Sequence, residues 1–113
     1  MNAAPSILAQ VFETVLERQR TMPQHSYVAS LLRGGTDAIC CKLAEESGEA
    51  IKAAREEDGK RLASELADLY FHSLVLLAAR GLTLADVEAE LAKRHGISGL
   101  AEKAARKKKP RKK

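Results

Sequence analysis

Apolar residues recur along this chain at the three- and four-residue spacing of an α-helix, and nowhere with the alternation of a strand. Ile7, Leu8, Val11, Phe12, Val15 and Leu16 share one helical face and predict a first helix over 7–18, capped by Ser6. A break follows at 21–25, where Pro23 interrupts helical hydrogen bonding. Ser26 opens a short helix over 27–32, which Gly34-Gly35 ends. Thr36 then caps a long helix reaching residue 57, with Ile39, Leu43, Glu46, Ala50 and Ala53 on its inner stripe. Asp58-Gly59 signals a turn. A second long helix is expected over 60–79, with Leu62, Leu66, Leu69 and Leu76 on its inner side. From Leu69 onward it is apolar nearly all round, apart from His72 and Ser73. Gly81 ends it, and Thr83 caps a last amphipathic helix over 84–93, before His95-Gly96. The pattern predicts an all-α bundle of four to five helices around a central antiparallel hairpin.

Two groups of acids break this pattern. Glu46 interrupts an apolar stripe and has Glu45 and Glu49 on its flanks; Glu65 and Asp68 lie on the other long helix. Glu49 stands nine residues before Asp58, and Asp68 nine after Gly59, so antiparallel helices bring them to the same height. Glu46 with Glu49, Glu45 with Glu49, and Glu65 with Asp68 have the spacings that bring helical side chains together. If the inner faces meet, up to five carboxylates converge. Unpaired like charges are costly to bury, so a cation is expected among them. Oxygen ligands without neighbouring Cys or His suit Mg²⁺ or Mn²⁺ rather than zinc. Such an ion shields phosphate charge, holds a leaving group and presents a water nucleophile. The chemistry suggested is hydrolysis of a phosphoanhydride. The bland alternative is a solvated surface, with Lys42 beside Glu45 and Glu46, Lys52 beside Glu49, and Arg61 beside Glu65. His72, four residues beyond Asp68, is either a packed core residue or a hydrogen-bond partner of a carboxylate behind the metal site.

The 113 residues fit a single domain. The formal charge of +4 hides an asymmetry. Residues 101–113 hold eight Lys or Arg and one Glu, whereas residues 1–100 hold eleven basic and fourteen acidic side chains. A helical domain over 1–100 is therefore expected to carry a basic tail over 101–113, the start of which is a candidate part of the site. Such a tail is ordinarily a solvated appendage; it touches nucleic acid only without specificity. Cys40 and Cys41 form no disulfide framework and read as buried, reduced thiols of a cytoplasmic protein. The N-terminus shows no secretory leader, and the eleven-residue apolar stretch 69–79 is too short to span a bilayer. A chain this small can hardly cover that stretch alone, so burial in an oligomer is expected.

The acidic pattern on a helical hairpin resembles the MazG-type all-α nucleotide pyrophosphohydrolases. Three segments narrow the resemblance: Ser26-Tyr27-Val28-Ala29-Ser30-Leu31-Leu32, then Glu45-Glu46-Ser47-Gly48-Glu49, then the run from Arg94-His95-Gly96 to Lys103. Together with Ala67-Asp68-Leu69-Tyr70-Phe71-His72, they are similar to the phosphoribosyl-ATP pyrophosphohydrolases of histidine biosynthesis, over roughly residues 5–106. The resemblance implies Mg²⁺-dependent release of pyrophosphate from phosphoribosyl-ATP by a homodimer or larger even oligomer. It implies a metal site of Glu45, Glu46, Glu49, Glu65 and Asp68, with the three glutamates of the first cluster as catalytic candidates. Lys42, Lys52, Arg94 and Lys103 are candidate partners of substrate phosphates. Gly48 weakens its helix by about 1 kcal/mol relative to Ala and is expected to admit close packing. Two other readings stay open: a general house-cleaning nucleoside triphosphate pyrophosphatase, and a non-enzymatic helical dimer with a nucleic-acid-binding tail.

Overall fold

The computed structural model describes residues 4–56 and 58–96, together with 103 and 106. It contains α1 (Ile7–Thr21), α2 (Tyr27–Glu56), α3 (Gly59–Ala79) and α4 (Leu84–Arg94), with no strand among the described residues. Ser6 and Thr83 cap as expected, Asp58, expected as a turn residue, is also a cap, and Thr36, expected as a cap, lies inside α2. Ser6 accepts from the Ala9 amide, Asp58 from the Arg61 amide, and Thr83 forms a reciprocal capping box with Asp86. Met22 ends α1 in the left-handed conformation, and Arg33 ties the following loop down by donating to the Met22 and Pro23 carbonyls at 3.2 Å each.

The two helices expected on either side of Gly34-Gly35 form one element with a kink. Gly35 has φ 84° and ψ −179°, a conformation that a side chain would strain, and the chain is helical before and after it. α2 and α3 are the most extensively packed pair, and α1 lies against both. Phe12, Val15, Val28, Leu31, Ile39, Leu74, Val75, Ala78 and Leu84 make a continuous core. Gln19 adds a polar tie by donating to the Ala78 carbonyl at 2.9 Å.

Three expectations are corrected here. The inner face of α3 is not the expected leucine stripe: Leu66 is 37% exposed, and Glu65, His72, Leu74, Val75 and Ala78 hold the buried positions. The helix turns its chemistry toward α2 and leaves its apolar flank, including the 54%-exposed Tyr70, facing out. Cys40 and Cys41 are free, as expected, but both are exposed, because Ile39 takes the inward position. Gly48 admits no close packing, since a Cβ built there meets nothing within 4 Å. In addition, the whole 21-residue α3, unlike its apolar half, is long and apolar enough by composition to cross a membrane. Its packing against α1 and α2 gives it a different place, as the central helix of a bundle.

Candidate active site

The acidic groups meet where α2 and α3 approach their connecting turn. Ala50 and Ala53, the small residues of the α2 stripe, are buried there. Their size lets the two helices come close, and Glu46 follows one turn earlier on the same stripe. Glu65 and Asp68 come from α3. One oxygen from each of Glu46, Glu65 and Asp68 lies within 4.8 Å of the other two. Acids on either side of a short turn, Glu46 before it and Glu65 and Asp68 after it, meet in this way only if the helices run antiparallel, as the sequence predicts.

Three of the five expected carboxylates are thus brought together. Glu45 is exposed and turns to Lys42, 3.7 Å away on its own helix. It precedes Glu46 by about a quarter turn, so the two cannot both face α3. Glu49 is exposed and outside the close group, yet near enough for its charge to act on Glu65.

Glu65 is the most constrained member, 4% exposed. Arg61, one turn earlier, reaches its Oε1 with a guanidinium nitrogen at 2.7 Å. Burial pushes the Glu65 carboxyl above its ordinary value; Arg61 pulls it down, while Asp68, Glu46 and Glu49 push it further up. A single exposed guanidinium does not neutralise this group of acids. A divalent cation would relieve the remaining repulsion, and the donor set of carboxylate oxygens fits Mg²⁺ or Mn²⁺.

His72 is 5% exposed, and both its ring nitrogens are engaged. Nδ1 donates to the Asp68 main-chain carbonyl at 2.8 Å, which in the neutral ring leaves Nε2 to accept from the Tyr27 hydroxyl, also at 2.8 Å. The hydrogen bond expected from His72 to a carboxylate is therefore not made: the backbone of Asp68 takes that place. Tyr27 is the residue that the reading of single motifs missed; its helix spacing said nothing of a partner on α3.

Of the basic candidates, Lys42 is held by Glu45 at 3.7 Å. Lys52 is exposed, Arg94 pairs with Glu90 at 3.0 Å, and Lys103 and Arg106 are exposed. Residues 97–102, which include most of the motif following Arg94, lie outside the described residues.

The family model of phosphoribosyl-ATP pyrophosphohydrolase matches residues 8–95, which include Glu45, Glu46 and Glu49 of α2, Glu65 and Asp68 of α3, and both ends of the hairpin. The chain belongs to this family. Among its similar relatives are proteins named phosphoribosyl-ATP pyrophosphatase. That of Azoarcus sp. (strain BH72) is 48% identical over 101 residues, covering 89% of this chain and 94% of the relative. That of Chromobacterium violaceum is 48% identical over 103 residues, covering 91% and 95%. That of Nitrosospira multiformis is 50% identical over 103 residues, covering 91% and 85%. For this family member, the hairpin acids are therefore the place to look for chemistry.

Proposed function

We propose that this protein hydrolyses phosphoribosyl-ATP to phosphoribosyl-AMP and pyrophosphate, the second step of histidine biosynthesis, in the cytoplasm. The observation that carries the reading is the meeting of Glu46, Glu65 and Asp68 from two helices, in a chain of this family. These three carboxylates would hold Mg²⁺, with Mn²⁺ as the alternative. When bound, the ion supplies positive charge against the triphosphate and lowers the barrier to attack by water. Glu49, on the rim and outside the close group, is left to take a proton from that water. Glu45 supports this edge through its pair with Lys42. Arg61 holds Glu65 in one rotamer, so the ligand arrives preorganised. Lys42, Lys52, Arg94 and Lys103 are the basic groups assigned to substrate phosphates. The domain spans 1–100, followed by a basic tail over 101–113 that takes no specific nucleic acid.

The active unit is a homodimer or a larger even assembly. The outer flank of α3 supports this: with Leu8, Cys40, Leu82 and Val87, its Tyr70 and Leu77 line an almost wholly apolar groove of about 550 Å³. A second copy laid on this flank would cover the half of α3 that the sequence makes apolar all round.

Pyrophosphate release from phosphoribosyl-ATP, with Mg²⁺ and with excess chelator, tests the reading, with ordinary nucleoside triphosphates as competitors. Cation-dependent turnover selective for phosphoribosyl-ATP is expected. Equal turnover of ordinary triphosphates would instead favour the house-cleaning activity, and turnover unaffected by chelator would remove the metal.

A further inference from the structure

Tyr27 is 50% exposed, yet its polar end faces inward. The hydroxyl bonds His72 Nε2 at 2.8 Å, the ring is stacked on Phe71 with centroids 6.2 Å apart, and His72 meets it edge-on at 5.8 Å. These contacts fix the direction of the ring, so little side-chain freedom is left to lose on binding. With the hydroxyl engaged, the surface it presents to water is aromatic carbon.

The position of this ring matters. Phe71 and His72 stand three and four residues beyond Asp68 on α3, and such residues share a face one turn along. Tyr27, in contact with both, sits on the same stripe of α3 as the Asp68 carboxylate. Two hydrogen bonds of 2.8 Å, joined through one imidazole, keep its hydroxyl within about 8 Å of the Asp68 carbonyl. Beyond the ring lies a groove of about 680 Å³, lined also by Thr14, Arg18 and His25. In a nucleotide one sugar separates the phosphates from the base, and a rigid exposed ring one helical turn from a phosphate-binding site is suitably placed for that base.

We propose that Tyr27 is a specificity-determining residue whose ring stacks against the purine of the substrate, while the acids hold its phosphates. The proposal rests on the pyrophosphohydrolase reading above for the identity of the substrate. Stacking uses the ring and not the hydroxyl, which separates it from a purely structural role in bonding His72. Phenylalanine keeps the ring and loses the bond; leucine loses both.

The test compares the wild type with Tyr27→Phe, Tyr27→Trp and Tyr27→Leu in Mg²⁺. Calorimetric titration with AMP and with pyrophosphate is combined with KM and kcat for phosphoribosyl-ATP. Tyr27→Leu is expected to weaken AMP binding and raise KM about tenfold, the effect of losing one base–aromatic stack, with pyrophosphate affinity unmoved. Tyr27→Phe and Tyr27→Trp should lose less than about threefold in AMP affinity. Loss of AMP affinity in Tyr27→Trp or Tyr27→Phe as large as in Tyr27→Leu would overturn the platform, as would a wild type that binds no AMP. If the wild type binds AMP in this Tyr27-dependent way but leaves phosphoribosyl-ATP intact, the platform stands and the assigned reaction falls.

Discussion

The two ends of the α2–α3 hairpin use the same pair of helices and differ in what covers them. At the end away from the turn, α1 closes over the pair, and Phe12, Val15, Val28, Leu31, Ile39, Leu74 and Val75 pack into one core. At the turn end α2 contributes Ala50 and Ala53 to the interior, and α3 contributes Glu65. Neighbouring side chains there stay in water: Ile51 and Leu66 are exposed. Large apolar residues give one end its stability. Small residues let the backbones approach at the other, and that approach forces acids from both helices together. The site thus stands on a rigid hairpin whose far end anchors it, and the destabilising charge is confined to where a ligand can offset it.

Substitutions at each end should separate these roles. The largest effect is expected from the acids. Glu46→Gln, Glu65→Gln and Asp68→Asn should each lower kcat about 10²–10³-fold, with the helical circular-dichroism spectrum retained. Glu49→Gln should lower kcat by a similar factor while leaving Mg²⁺ affinity nearly intact; loss of both in parallel would make Glu49 a ligand instead. At the other end, Ile39→Ala should remove about 2–5 kcal/mol of stability in urea unfolding, with kcat of the folded fraction kept. A large fall in kcat from this variant would show that the two ends are not separable.

A pH series sharpens the same contrast. The Glu65 carboxyl is raised in the folded protein, first by burial, so between its ordinary value and the raised one the native state holds a proton that the unfolded chain has released. Without metal, stability from this group is fully present below the ordinary value and is lost as pH rises through the folded one. The melting temperature of the metal-free protein should therefore fall over that window. Mg²⁺ should restore it, and Glu65→Gln should flatten it. A melting temperature that rises across the window in metal-free wild type, but not in Glu65→Gln, would contradict the assigned shift. The smallest change is Gly48→Ala, expected to add about 0.5–1 kcal/mol because a Cβ there meets no neighbour. Activity that falls as stability rises would give Gly48 a role in admitting substrate.

Much of this architecture is legible in local chemistry. Ser6, Asp58 and Thr83 cap helices because their side chains accept from nearby amides, and a turn at Asp58-Gly59 sets the register of the hairpin by counting alone. Counting also places Glu49 level with Asp68, with Glu46 and Glu65 within about one helical turn of that height. Face assignment on α3 was less legible. With leucines spaced around most of the helix, periodicity has no single apolar side to select, so the stripe through Leu66 looked as good as the stripe through Glu65 and His72. Cys40 and Cys41 are hard to place for a similar reason, since both are apolar and close to Ile39 in sequence.

From sequence alone, then, come the helices, their caps, the family motifs and the two acidic groups, since each depends on residues within a few positions of one another. The tertiary structure decided which three acids meet, that Arg61 and burial act on Glu65 in opposite directions, and that Tyr27 reaches His72 across 45 residues of chain. Those outcomes depend on how one helix is rotated about its axis against another, and that rotation is set by the packing of Ala50, Ala53, Ile39 and Val75 together rather than by any one segment.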